Sequence, residues 1–309
     1  MIERRWTGII VLILIAILIT QCTGNPPVES SPASSLTPTV DVHTTIAPTR
    51  FPSQTASAQS TEVIQSENSS PEILSYQVIN SYPHDSGAFT EGLVIYNGEL
   101  YETTGLNGKS SIRQVDLVTG RVERMRRLGD EYFGEGLAII DNKMVWATWK
   151  SNIGFVYDLD SFEIIDQFEY QHEGWGLAYD GSNLFLSDGT DVIHILSTVD
   201  YSEIGLLQVT DQGQPVTMIN ELEFIEGELF ANIWLTTTIA RIDPQTGAVT
   251  GWLDLEPLLE DFSNIRQSID VLNGIAYNQD TQQIFVTGKY WPRIFEIQIL
   301  ESNDTSPDE

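Results

Sequence analysis

Cysteine is almost absent. Cys22 is the only one in 309 residues, so no intramolecular disulfide can form. Basic side chains are scarce too: 15 Lys and Arg face 44 Asp and Glu, a formal net charge of −29. Such a surface repels a phosphate backbone, so no nucleic-acid partner is expected. The same field favours cationic ligands, such as a peptide with a free α-amino group, and it also keeps an exported protein soluble. Sustained helical periodicity is missing; only residues 255–265 carry a weak helical pattern. There is no GxSxG, HExxH or GxxxxGK motif and no metal-spaced cysteine pair. His84, His172 and His194 are scattered and form no zinc set. No metal ligand set and no required cofactor are therefore expected, and a cation bound in a central channel would be read as structural.

What is present falls into four stretches. Residues 1–22 read as an export signal: Arg4 and Arg5 precede an uncharged, mostly apolar run from Trp6 to Thr20. That run is shorter than the roughly 20 residues of a full membrane span and fits a signal h-region. Cys22 follows it directly and resembles the lipid-modified cysteine of bacterial lipoproteins, although Gln21 stands where a small residue is usual. Lipidation, simple cleavage and an uncleaved anchor all place the bulk of the chain outside the cytoplasm, secreted or tethered, with the membrane touched only through this segment. Residues 23–71 are dominated by Ser, Thr, Pro, Ala and Gln. Without apolar periodicity they are expected to form a disordered linker. Residues 72–302 carry short apolar runs between Gly, Asn and Asp turns, and residues 303–309 form an acidic tail.

The segment 72–302 repeats itself. FTEGLVIYNGELYETTG from Phe89 matches FGEGLAIIDNKMVWATW from Phe133, then GWGLAYDGSNLFLSDGT, NELEFIEGELFANIW and NGIAYNQDTQQIFVTGK. Gly92, Gly136 and Gly176 are 44 and 40 residues apart. A period of about 40–50 with three or four strands per unit indicates propeller blades. The fold expected is all-β, a five-bladed β-propeller. Its last blade is one strand short, and residues 75–83 are placed to supply it. A β-sandwich or an up-and-down barrel would not explain the repeat.

In a propeller the equivalent repeat starts converge at one mouth of the channel. Here these are Glu91, Glu135, Trp175, Asn220, Glu221 and Asn273. Converging carboxylates raise each other's pKa, which suits one of them to proton transfer near neutral pH; the same residues could equally bind channel water or a cation. Phe89, Phe133, Trp149, Trp175, Trp234 and Trp291 lie at or near the same strands and would wall a small-ligand pocket. Trp146 and Trp252 read as blade core. Lys289, one of four lysines, ends an apolar strand in VTGKYWP; it is a candidate electrophile or a snorkelling surface residue. Asp158, Asp160 and Asp180 read as turn residues.

Taken together, FTEGL, YFGEGLAII, WKSNIGFVYD, GWGLAYDG, NELEFIEGELFANIW, DVLNGIAY and VTGKYWP resemble the plant-type glutaminyl-peptide cyclotransferases, over about residues 75–298. The resemblance implies a five-bladed propeller enzyme that turns the N-terminal glutamine of peptides or proteins into pyroglutamate, releasing ammonia; a monomer is expected. It implies catalytic roles for Glu135 (acid/base), Lys289 and Asn220. It implies substrate contacts from Glu91, Phe133, Trp149, Trp175, Glu221 and Trp234. Glu135 would take a proton from the attacking amine and return it to the leaving nitrogen, while Glu221 and Glu91 hold the amine. One position departs: the family usually has FTQG where this chain has FTEG, so Glu91 adds a carboxylate and should make Glu135 titrate higher. Two rivals remain on the residues alone. One is a non-catalytic propeller that binds peptides or sugars. The other is a metal-dependent, lactonase-like propeller hydrolase, for which Glu91, Glu135, Asn220 and Asn273 could imitate a ligand set.

Overall fold

The structure, a computed structural model, describes residues 70–263 and 268–300. The export signal with Cys22, the linker as far as residue 69, and the tail lie outside the described residues. Within them the fold is all-β, and the only helical element is a 3-10 turn at Glu256–Phe262, inside the weak helical pattern of the sequence. Among the described residues no helix is long and apolar enough to cross a membrane.

Strand β1 (Glu72–Pro83) comes first. Four-stranded antiparallel arrays follow in chain order: β2 (Thr90–Tyr96), β3 (Glu99–Thr104), β4 (Ser111–Asp116), β5 (Arg121–Arg127); then β6 (Gly134–Ile140), β7 (Lys143–Thr148), β8 (Ile153–Asp158), β9 (Ile164–Glu169). Next are β10 (Leu177–Tyr179), β11 (Asn183–Ser187), β12 (Val192–Ser197), β13 (Glu203–Gln208), and a short hairpin β14 (Thr210–Asp211) with β15 (Gln214–Pro215). The chain ends with β16 (Ile219–Ile225), β17 (Glu228–Ile233), β18 (Thr238–Ile242), β19 (Val249–Asp254), then β20 (Leu272–Asn278), β21 (Gln283–Gly288) and β22 (Arg293–Leu300). These last seven strands join with β1 into one eight-stranded sheet, because β1 pairs parallel to β19 and antiparallel to β22. The strand anticipated at residues 75–83 thus completes the array of β20, β21 and β22.

Local sequence explains the strands. The Asn97–Gly98 turn between β2 and β3 has φ of 51° and 80°, the left-handed pair a tight hairpin needs. The innermost strands are buried, as in GEGLAII of β6, whereas the outermost, such as RVERMRR of β5, face water. Adjacent sheets pack face to face. Met144, Trp146, Phe155 and Tyr157 of the second array lie on Tyr101 and Ile112 of the first. Beyond the end of β1, buried His84 ties its Nδ1 to the Trp291 carbonyl at 2.7 Å and its Nε2 to Glu102 at 2.9 Å.

The first strands of the arrays touch in a cycle: β2 with β6, β6 with β10, β10 with β16, β16 with β20, and β20 with β2. They approach so closely that a side chain has no room. A Cβ on Gly92 would lie 2.7 Å from the Leu137 nitrogen, one on Gly136 2.5 Å from the Trp175 carbonyl oxygen, and one on Gly176 2.1 Å from the Asn220 carbonyl oxygen. In the fourth repeat Glu221 stands at the glycine position. Its carboxylate accepts the backbone N–H of Ile275 at 2.8 Å and of Leu93 at 3.3 Å, bridging β20 and β2. Gly176→Ala should therefore cost about 3 kcal/mol. Urea unfolding checks this, and a loss below about 1 kcal/mol would contradict the strand contact.

Candidate active site

The residue before each repeat-start glycine, or its equivalent, points to one end of the cycle. Glu91 precedes Gly92, Glu135 precedes Gly136, Trp175 precedes Gly176 and Asn220 precedes Glu221. These four line one cavity of about 250 Å³ with Phe89, Phe133, Trp149, Trp234, Leu235, Asp270, Val271 and Lys289. A larger cavity of about 430 Å³ opens at the far ends of the same strands, among turn residues such as Asn97, Asp141, Gly181 and Asp280. The smaller one is the candidate site, because there the polar groups are buried and convergent: Glu91, Glu135, Asn220 and Lys289 are each less than 9% exposed.

The aromatic wall is built from edge-to-face contacts. Phe133 meets Phe89 at 6.2 Å and Trp149 at 5.6 Å, and Trp175 meets Trp234 at 5.5 Å. Such pairs add to plain burial and fix ring orientation. Gly105 leaves the room: a Cβ there would be 2.4 Å from Phe133 and 2.8 Å from Glu91. Glu173 clamps the other side. Both indole N–H groups donate to its Oε2, Trp149 at 2.6 Å and Trp175 at 3.0 Å. Nothing in its own motif marked Glu173; it is a surface carboxylate beside GWGL that acts only through its neighbours.

The ionisable cluster is compact. Lys289 Nζ donates to Glu91 Oε2 at 2.6 Å and lies 4.3 Å over the Phe89 ring. Asn273 Nδ2 reaches the same oxygen at 3.4 Å. Glu91 and Glu135 line the same cavity, and each bears on the ionisation of the other. Burial raises Glu135 well above the ordinary carboxylate range, and the Glu91 charge raises it further, against the pull of Lys289. Burial also pushes Glu91 up, but the contact with Lys289 opposes this directly. The lysine contact thus favours the charged form at Glu91, and burial beside that carboxylate favours the neutral form at Glu135. Glu91 Oε1 is buried without a hydrogen-bond partner.

Most of the residues singled out in the sequence share this cavity, and others lie outside it. Glu135, Lys289, Asn220, Glu91, Phe133, Trp149, Trp175 and Trp234 come together. Glu221 does not line the cavity; its carboxylate is turned to the backbone amides of Leu93 and Ile275, so the substrate contact expected of it is corrected. Trp291 is also withdrawn from the site, buried against Phe262 and Phe295. Asp270 was missed. It sits three residues before Asn273 in DVLNGIAY and reaches the cavity wall beside Lys289, whose carbonyl accepts the Asp270 N–H. The histidines are not all scattered: the rings of His172 and His194 stack 3.4 Å apart.

Glu173→Ala should change tryptophan emission, by freeing two indole N–H groups, and cost no more than about 1–2 kcal/mol, since the carboxylate is partly exposed. Unchanged fluorescence would show that the clamp does not hold the rings.

Comparison with known proteins points one way. A family model described as glutamine cyclotransferase matches residues 51–299. The glutaminyl-peptide cyclotransferase of Arabidopsis thaliana is 41% identical over 233 residues, 74% of this chain and 73% of that protein. The crystal structure of Myxococcus xanthus glutaminyl cyclase matches with a TM-score of 0.70 at 36% identity, over 74% of this chain and 98% of that one.

Proposed function

The chain belongs to the glutamine cyclotransferase family and works as a glutaminyl-peptide cyclotransferase, and we propose that the Glu91–Glu135–Lys289 cluster performs the proton transfers of that reaction. The reaction converts the N-terminal glutamine of a peptide to pyroglutamate. The observation that carries the assignment is a pair of buried glutamates, one bonded to a lysine, in an aromatic-walled cavity.

The neutral α-amine attacks the carbon of its own side-chain carboxamide. A C–N bond forms, the carbonyl becomes a tetrahedral oxyanion, and the bond to the amide nitrogen then breaks. Both reacting groups belong to one residue, so holding it folded back supplies much of the acceleration. Phe133, Trp149, Trp175 and Trp234 do this holding and exclude water. Because Glu135 starts protonated, it acts first as the acid. It gives its proton to the departing nitrogen, and its carboxylate then takes the proton of the new ring nitrogen. Ammonia leaves and Glu135 regains its starting state. Lys289 and Asn220 stabilise the oxyanion. Asp270, which lines the cavity beside Lys289 and has no salt bridge among the described residues, meets the amine.

We also read the fold as a five-bladed propeller, which the cycle of first strands and their four-stranded arrays support. The chain is proposed to be monomeric and extracytoplasmic, on the strength of residues 1–22 and the acidic composition.

A peptide beginning with glutamine should lose the mass of one ammonia when incubated with the protein; no loss across a range of pH would sink the assignment. Glu135→Gln should lower turnover about 10²-fold or more at unchanged melting temperature. Near-normal turnover would remove Glu135 from proton transfer. The pH profile should be bell-shaped. Its acid limb reports ionisation of the substrate amine, ordinarily near pH 7.7–8.0, and its alkaline limb the loss of the Glu135 proton. Glu91→Gln removes a like charge and leaves Lys289 in place, so Glu135 loses its proton more readily and the alkaline limb should move down by about 1 unit or more. An unmoved limb would uncouple the two carboxyl groups.

A further inference from the structure

The seam between the first and last arrays is crossed by two ion pairs. Lys289, directly after β21, meets Glu91 of β2 inside the cavity at 2.6 Å. His84, directly after β1, meets Glu102 of β3 at 2.9 Å, and both of these side chains are 1% exposed. Neither of the second two lines the cavity. We propose that His84 and Glu102 are the positioning pair that holds Glu91 against Lys289, a role that rests on the cyclisation reading above.

The partners define the charge state. His84 Nδ1 lies 2.7 Å from the Trp291 carbonyl oxygen, which only accepts, so Nδ1 carries a hydrogen. Its Nε2 faces Glu102 Oε1, and the same oxygen accepts the Thr90 hydroxyl at 2.8 Å. The other Glu102 oxygen lies 3.6 Å from the Arg113 guanidinium, which is itself bonded to Asp85 at 2.9 Å. An ionised Glu102 satisfies all of these donors, and Nε2 then carries a hydrogen as well. Two cations, His84 and Arg113, thus face two anions, Glu102 and Asp85. Burial lowers the His84 pKa, but Glu102, the Trp291 carbonyl and Asp85 together raise it above the ordinary histidine value. Burial likewise raises Glu102, and His84, Arg113 and Thr90 bring it below the ordinary carboxylate value.

Through the backbone this pair grips both members of the catalytic one. Glu102 holds the hydroxyl of Thr90, the residue before Glu91. His84 holds the carbonyl of Trp291, two residues after Lys289, and its own N–H donates to the Pro292 carbonyl at 3.0 Å. The Trp291 indole donates to the Asp270 carbonyl at 2.8 Å, so the same segment also fixes Asp270. Apolar side chains of similar volume would hold two sheets together as well as a buried ion pair does. What the ion pair adds is direction, because its bonds have a set geometry to the two segments that carry Glu91 and Lys289.

The test uses the full chain and two variants. Thr90→Val removes one hydrogen bond to Glu102 and no charge. Its kcat on a glutamine-initiated peptide should fall about 10-fold, because small misplacements of reacting groups are costly. Its KM should stay within about 3-fold, since Phe133, Trp149, Trp175 and Trp234 stand on other arrays. The alkaline limb of its pH profile should move up by about 0.5 unit or more, because a Lys289 held less closely lowers Glu135 less. His84→Gln should show the same pattern with a larger loss of kcat, about 100-fold. A pair with only a structural role would lower the melting temperature and leave kcat and the limb of the folded enzyme in place. That result in Thr90→Val would overturn the proposal, whether or not His84→Gln folds. Nitrogen-15 NMR of the histidine-labelled, unaltered chain needs no activity. Near neutral pH both ring nitrogens of His84 should carry hydrogens, and a single protonated nitrogen would overturn the ion pair. Failure of the unaltered protein to cyclise would count against the assigned activity instead, and the nitrogen spectra would still decide the pair.

Discussion

The close approach of the innermost strands is the constraint on which the rest of the molecule depends. At Gly92, Gly136 and Gly176 one strand's backbone lies against the next so tightly that a single added carbon would overlap it. The ladders of β2 and β6 shift register at this point, which interrupts the alternation, and Glu91, Glu135 and Trp175, each just before its glycine, face one cavity. Glu91, Glu135, Trp175 and Asn220 are therefore neighbours because the strands touch, although they are far apart in the chain. The one repeat that breaks the glycine rule shows the same constraint from the other side. Glu221 can stand there because its carboxylate ends on two backbone N–H groups of neighbouring inner strands.

Packing of this kind turns an ordinary amino-acid set into a reactive one. A glutamate in water is ionised at neutral pH and a poor acid. Buried beside a second carboxylate, Glu135 is pushed well above that range, while Lys289 stabilises the charge on Glu91. The aromatic wall keeps the dielectric low enough for these interactions to matter. Hydrogen bonding from Glu173 in turn fixes two of the rings that make up that wall. A protein of net charge −29 holds a lone lysine at the centre of this arrangement, so its cation is a local feature placed against the general field.

Much of this was legible in the chain. The repeat exposed the strands, because turn residues and alternating apolar runs are local properties. It also marked the residues before the glycines, since equivalent positions in a closed repeat face the same place. Motif resemblance then selected Lys289 and the tryptophans, which repeat logic alone left ambiguous. The errors have a common source. Glu221 was given a substrate contact by the resemblance; in NELEF it aligns with the glycine of EGL, and its carboxylate ends on backbone amides. Asp270 and Glu173 lie in loops, whose direction no periodicity reports. His172 and His194 are 22 residues apart in sequence, and their stacking depends on how the loop before β10 folds over β12.

The sequence by itself determined the strand content, the repeat, the inner-strand glycines and the chemical identity of the cavity residues, because each is written in local spacing or residue type. Tertiary structure alone decided which carboxylate is pushed furthest toward its neutral form, which one is spent on backbone amides, what clamps the tryptophans and which histidines meet. Each of those outcomes depends on distances of a few ångströms between segments that are remote in the chain, and burial and pairing at that range, not composition, set the free energy of a charge.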